Sequence, residues 1–275
     1  MFARVYIEIT NICNMNCSFC HGHSRTPRKM TEAEYAHLLK QLAGKTKHIY
    51  HHLMGEPLIH PLLPRFIEMA HQAGFVPMIT TNGTLLDSHG DALLGKGLHK
   101  INISLHSFEG DQPDAQNHYL QKIVDFAEKA NKTETIVSLR LWNNGCDEGR
   151  NDATLAFLRE KLSGPWVPNT RGYRIRDKLF IEWGDRFAWP DLSAHSYGEH
   201  VFCYGLQDHF GILCDGTVVP CCLDSDGTIA LGNAFREGLT DILSSARATA
   251  IAEGFRCRTA TEQLCRRCGY AQRHS

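Results

Sequence analysis

Over roughly the first two thirds of the chain, apolar positions follow two alternating periods. Short apolar runs suited to strands fall at residues 5–9, 49–53, 76–80, 100–105, 135–141 and 178–183. Between them, apolar residues recur every third or fourth position. Thr31 with Glu34 three residues on forms a capping box; Tyr35, Leu38, Leu39 and Leu42 then share one helical face, and Gly44 stops the helix. Residues 61–73 predict a second helix with Phe66, Ile67 and Ala70 on one face. Residues 86–94 predict a third, 115–130 a fourth with Tyr119, Ile123 and Phe126 in register, and 152–162 a fifth. Strands alternating with helices at this spacing argue for an α/β fold whose sheet is parallel, with right-handed crossovers. Period alone does not choose between a curled partial barrel and an open doubly wound sheet.

Beyond Trp189-Pro190 the alternation ends and cysteines become dense. Short apolar runs at 210–213 and 217–220 flank Asp215-Gly216, a hairpin signal, and a helix is expected through Leu239, Ile242, Leu243 and Ala246. The expected organisation is one unit over residues 1–185, a linker over 186–200 and a cysteine-rich unit over 201–275.

Charge changes this picture little. Lys plus Arg number 29 against 30 Asp plus Glu, so electrostatics give no reason to expect nucleic acid or an acidic membrane as partner. There is no apolar run of about eighteen residues and no signal peptide, so the expected location is the cytoplasm and no membrane partner is expected. In that reducing setting the 11 cysteines read as metal ligands or free thiols rather than disulfides.

The chemistry concentrates in Cys13-Asn14-Met15-Asn16-Cys17-Ser18-Phe19-Cys20. Three thiolates from one loop would leave one iron of a [4Fe-4S] cluster without a protein ligand. Zinc is the competing occupant, with His21 or His23 as a fourth ligand. The spacing resembles the radical S-adenosylmethionine (SAM) superfamily, and the resemblance implies a six-unit partial (β/α) barrel. It also implies that the open iron binds SAM and that reductive cleavage releases a 5'-deoxyadenosyl radical. The strand ends agree with it. Met54-Gly55-Glu56-Pro57 resembles the family's Gly-Gly-Glu-Pro motif, with Met54 replacing the first glycine. Asn82, Ser104, His106 and Arg140 close strands three to five with groups suited to a ribose and a carboxylate, and Phe19 holds the family's near-adenine position. Glu182, on the sixth strand, is the candidate for a polar contact or proton acceptor. Arg174, Arg176, Trp183, Asp185 and Trp189 are candidates for a substrate-facing wall.

In the last third, Cys203, Gly216 and Cys221 resemble the opening of the SPASM extension, and Cys265-Arg266-Arg267-Cys268 its late pair. With no cysteine after Cys268, the ending resembles the shortened twitch form. The resemblance implies one auxiliary [4Fe-4S] cluster held by Cys203, Cys221, Cys265 and Cys268. Cys214, Cys222 and Cys257 compete, although strand alternation turns Cys222 away from Cys221. A zinc ribbon is the alternative occupant.

A cluster with four thiolates has no open iron, which suits electron transfer. The expected function is therefore two-electron oxidation of a small polar molecule after hydrogen abstraction. The alternatives are a peptide-modifying maturase, forming a crosslink or an epimer, and a non-catalytic binding module held by zinc. Expected partners are a small-molecule or peptide substrate and a flavodoxin- or ferredoxin-type electron donor.

Overall fold

A computed structural model describes residues 1–110, 112–147 and 149–274. The six expected strands all form: β1 (Arg4–Ile7), β2 (His48–Tyr50), β3 (Val76–Thr81), β4 (Lys100–Ser104), β5 (Ile136–Asn144) and, after an intervening hairpin, β8 (Leu179–Asp185). They lie side by side in chain order and all parallel. The hairpin is β6 (Val167–Asn169) and β7 (Gly172–Arg176), antiparallel and added outside β8. The cysteine-rich part contributes β9 (His209–Ile212), β10 (Thr217–Val219) and β11 (Gly232–Asn233). Among the described residues these strands make one eleven-stranded sheet, β11-β10-β9-β1-β2-β3-β4-β5-β8-β7-β6, an unclosed partial barrel.

Each barrel strand has two chemically distinct faces. Val5, Ile7, Ile49, Ile101, Val137 and Ile181 are fully buried in the main core, together with helix residues such as Leu38, Phe66 and Ile123. Burying each such side chain contributes about 2 kcal/mol. The alternate positions, among them Tyr6, Glu8, Tyr50, Asn102, Arg140 and Glu182, point to the other side of the sheet, the barrel lumen. The lumen is therefore polar.

The helices are α1 (Glu32–Leu42), α2 (Leu63–Gln72), α3 (Pro113–Ala130), α4 (Arg150–Lys161), α5 (Leu239–Leu243) and α6 (Ala246–Arg256). The capping box of α1 forms as expected: Glu34 N donates to Thr31 Oγ1, and Thr31 N donates to Glu34 Oε2 at 2.8 Å. Two helix expectations change. Residues 86–94 form a π turn (Leu86–Gly90) and a 3₁₀ turn (Asp91–Leu93), with Gly90 packed where a Cβ would lie 2.7 Å from the Phe126 ring. The single helix expected through Leu239 and Ala246 is two, because Ser245 adopts extended backbone and caps α6 by accepting from Ala248 N.

The strongest departure concerns the cysteine-rich part. Its first strand, β9, pairs in parallel with β1 (Val5 opposite Phe210, Ile7 opposite Ile212), so the hairpin extends the barrel sheet and is not a separate layer. Among the described residues, no helix is long and apolar enough to cross a membrane.

Candidate active site

The loop after β1 carries the first three cysteines, and its base is pinched shut. Met30 N donates to Ile9 O at 2.8 Å, Asn11 Nδ2 to Thr26 O at 2.9 Å, and Arg28 N to Asn11 Oδ1 at 2.7 Å. Cys13 and Cys20 are exposed, Cys17 is half-buried, and all three are free thiols. They lie near one another: burial first, then Cys20, Glu109 and Cys13, push the Cys17 thiol up to about 11. Ligation by such thiols must release protons. Glu109, which sequence reasoning missed, fixes the turn by accepting from Ser18 N at 2.8 Å and from Ser18 Oγ. Nothing in the local pattern marks it, because the contact joins the strand-four loop to the strand-one loop.

The Met54-Gly55-Glu56-Pro57 segment presses directly on this loop. Gly55 has φ +74°, and a Cβ there would stand 2.5 Å from Thr10 O and 2.8 Å from Asn11 C, so only glycine fits. The Glu56 carboxylate is buried and fully engaged by protein donors. It accepts from Leu58 N at 3.0 Å, Thr81 Oγ1 at 2.7 Å and Asn82 N at 2.7 Å. Burial lifts its pKa to about 7 despite these donors. Glu56 thus fastens the end of β2 to the end of β3, while Pro57 starts a 3₁₀ turn. Asn82 Nδ2 then reaches Asn14 Oδ1 at 3.0 Å and lies 4.0 Å from Cys13 Sγ. Ser104 ends β4, and the next turn places the His106 ring 4.9 Å from the Phe19 ring. Arg186 lies 5.5 Å from the Phe19 centroid, and Trp189 Nε1 donates to Phe19 O at 3.0 Å, so the linker packs on the cysteine loop.

Arg140 and Glu182 face the lumen as partners. Glu182 lies 3.4 Å from Lys100 Nζ and 3.8 Å from Arg140 Nε, and Arg140 stacks 4.5 Å from the Trp142 ring centroid. Burial raises the Glu182 pKa, but Lys100 and Arg140 outweigh it and hold the carboxyl below the ordinary range. This environment favours the ionised form of Glu182 and suits it to a polar contact. Arg140 is held beside Glu182, and its buried Nε makes no hydrogen bond among the described residues. Arg176 turns away from the lumen, pairing with Glu128 of α3 at 2.7 Å.

Five thiols meet in the second site. Cys203, Cys221, Cys222, Cys265 and Cys268 line one cavity of about 210 Å³, with Tyr6 of β1 and Trp142 of β5 in the same wall. Burial, followed by the neighbouring Cys222, Cys203, Cys265 and Cys268, pushes the Cys221 thiol well up. The expected four line this cavity, but so does Cys222, and the alternation argument against it does not apply. Both Cys221 and Cys222 lie past the end of β10 in a bend, where strand alternation no longer applies. Cys222 lies beside Tyr6, whose hydroxyl favours its ionised form. Cys214 is buried against Arg25, and Cys257 and Cys146 are exposed; none of the three lines the cavity.

The three free thiols beside a glycine-only backbone contact suit a SAM-binding cluster, and the thiol-lined cavity suits an auxiliary one. Comparison with known proteins bears this out. Residues 7–141 match the radical SAM superfamily, and residues 203–269 match an iron-sulfur cluster-binding domain, SPASM. Among curated relatives, GTP 3',8-cyclase of Chlorobaculum tepidum is 32% identical over 112 residues, 39% of this chain and 34% of that protein. A probable GTP 3',8-cyclase of Methanocella arvoryzae is 31% identical over 163 residues, 56% of this chain and 52% of that one. The chain thus spans from about a third to about half the length of these relatives. Among solved structures, BtrN in complex with AdoMet and 2-DOIA superposes with a TM-score of 0.62 at 19% identity, covering 98% of this chain and 93% of that one. Native anSMEcpe with bound AdoMet and a Kp18Cys peptide gives 0.62 at 16% identity, covering 97% and 89%. These superpositions show the fold alone; the matched family models show that the chain carries a radical SAM domain followed by a SPASM-type iron-sulfur cluster-binding domain.

Proposed function

We propose that this protein oxidises a small polar substrate by two electrons, the first leaving with an abstracted hydrogen atom and the second passing to the auxiliary cluster. SAM and its cluster supply, on reduction, the 5'-deoxyadenosyl radical that takes the hydrogen. Cys13, Cys17 and Cys20 hold that cluster. The Gly55 main chain, with Asn82, Ser104 and His106 at neighbouring strand ends, forms the SAM cradle, and Phe19 flanks the adenine. Glu56 shapes the cradle through Asn82. The ionised Glu182, held by Lys100 and Arg140, orients a substrate hydroxyl or amine in the lumen. Cys203, Cys221, Cys265 and Cys268 hold the auxiliary cluster, and residues 1–185 and 201–275 divide the two tasks. A flavodoxin- or ferredoxin-type protein delivers the electron that starts turnover.

The observation that carries this reading is the shared lining: Tyr6 and Trp142 of the barrel line the cavity of the auxiliary thiols, so a cluster held there would lie beside the lumen. With both matched domains being cofactor-binding ones, the zinc-held module no longer competes. The test is Cys265→Ala with Cys268→Ala. Iron should fall from about eight to about four per chain while SAM cleavage persists and substrate oxidation stops. Oxidation surviving at four irons would reject the auxiliary cluster as acceptor.

The curated relatives favour a second reading, a nucleotide substrate, since those compared are named GTP 3',8-cyclases. Anaerobic incubation with GTP, SAM and dithionite decides it by whether GTP is consumed. A peptide substrate remains the alternative if neither GTP nor small polar molecules are turned over.

A further inference from the structure

The proposed mechanism leaves one buried ion pair unused. Glu8, just past the end of β1 on the lumen side, is completely buried, and its carboxylate is bound by three segments of the chain. Arg25 Nη2, from the return arm of the cysteine loop, donates to Oε2 at 2.7 Å. Met54 N, one residue before the glycine-only contact, donates to Oε2 at 3.2 Å. Cys214 N, at the turn of the β9–β10 hairpin, donates to Oε1 at 3.2 Å. Arg25 in turn donates through Nε to Ser225 O at 2.7 Å, and its Nη1 lies 3.8 Å from Cys214 Sγ. On either side of it, Ser24 N and Oγ donate to Asp226 Oδ1 at 2.7 and 2.9 Å, and Arg28 donates to Cys214 O.

A buried ion pair is weak evidence for added stability, because desolvation offsets most of its attraction. What distinguishes this one is that its contacts join separate segments: Met54 after β2, Cys214 in the β9–β10 hairpin and Ser225 in the loop after β10. Through Ser24, Arg25 and Arg28 the return arm meets Cys214 on the hairpin turn and Ser225 and Asp226 in the loop after β10, the loop that also carries Cys221 and Cys222 of the second site. An apolar pair of equal volume would fill the space but could not hold two backbone N–H groups and a guanidinium in one register.

We infer that Glu8 and Arg25 are positioning residues that interlock the two cluster sites: they fix the cysteine loop and the Met54–Gly55 backbone against the SPASM hairpin, so that the hairpin's seating sets how well SAM is held. The inference rests on the radical SAM reading. Neither side chain touches SAM or the reacting atoms; each acts through the segments it anchors.

The test uses the anaerobically reconstituted protein as wild type, Glu8→Gln, Arg25→Gln and the double variant. SAM affinity is measured by equilibrium dialysis, and amide hydrogen exchange is followed over residues 13–30 and 214–226. Each single variant should retain wild-type iron yet weaken SAM binding about tenfold, as loss of supporting contacts around a metal site does. The double variant should be no worse than the weaker single one, since both break the same link. Exchange should quicken in both tracts together while α3 stays protected. Unchanged SAM affinity in both single variants, or protection lost across the whole molecule, would overturn the interlock. If Arg25→Gln does not accumulate, Arg25→Lys, which keeps the charge and forfeits the fork geometry, should still weaken SAM about threefold; no change would overturn it. A wild type that does not bind SAM at all would sink the radical SAM reading itself, and is recognised before any variant is compared.

Discussion

Cys221 and Cys222 differ by one position and, in this account, by function. Both thiols line the auxiliary cavity, but Cys221 lies among Cys203, Cys265 and Cys268, whereas Cys222 lies beside Tyr6 on the barrel side. The expected outcome is that Cys221→Ala drops iron by about four per chain, while Cys222→Ala keeps it near about eight. Iron analysis with the EPR spectrum of the reduced protein checks this; the reverse pattern would exchange their roles. At this scale the cysteine spacings carried much in advance, since ligand sets are local. Contacts such as Glu109 with Ser18, or Arg25 with Glu8, join residues far apart in sequence and had no local signature. One signal was present and went unread. In the run 5–9, Tyr6 and Glu8 alternate with Val5, Ile7 and Ile9, and a charged residue alternating with a buried face marks a polar lumen.

Among the elements, the segment after β2 tolerates little change. Gly55 combines a left-handed backbone with backbone atoms closer to its Cβ direction than any side chain allows. Gly55→Ala should cost about 2 kcal/mol or more and lower iron in the three-cysteine site while the auxiliary site stays loaded. A thermal scan with iron analysis measures both; full loading of both sites would show that the close approach is dispensable. Most other elements were legible because their signals are local, as with the Thr31–Glu34 box of α1 and the six short apolar runs. The exceptions have tertiary causes. Residues 86–94 carry helical apolar spacing, but Gly90 seats its backbone against Phe126, and Gly95 and Gly97 take left-handed conformations just beyond. The β6–β7 hairpin depends on pairing with β8, which exposed Val167 and Pro168 do not announce.

For the molecule as a whole, β9 beside β1 makes one sheet of what the sequence divides into two units. The compositional break near residue 190 is real, yet the pairing of residues about two hundred apart is invisible to any local pattern. Buried histidines beside this sheet also give the molecule an acid liability. His51 is buried beside the Tyr35 hydroxyl at 2.6 Å, and burial lowers its pKa from 6.5 to about 4; His52 is lowered further, to about 3. Because the folded values are depressed, these neutral histidines contribute stability fully above about pH 6.5, and it is lost as pH falls toward 4. The His51 share is about 3 kcal/mol. The midpoint of thermal unfolding should fall steeply across that window, and His51→Gln, which can still accept from Tyr35, should flatten part of the fall. An equally steep fall in the variant would place the acid sensitivity elsewhere.

The central claim is that the loop of Cys13, Cys17 and Cys20 holds a cluster with one iron left open for SAM. Its most direct measurement is 5'-deoxyadenosine formed from SAM and dithionite, under strict anaerobiosis, by the wild type and by Cys13→Ala/Cys17→Ala/Cys20→Ala. The account predicts the nucleoside from the wild type and none from the variant, whose auxiliary cluster remains. Nucleoside formed equally by both proteins, or by neither despite a full iron complement in the wild type, would contradict it.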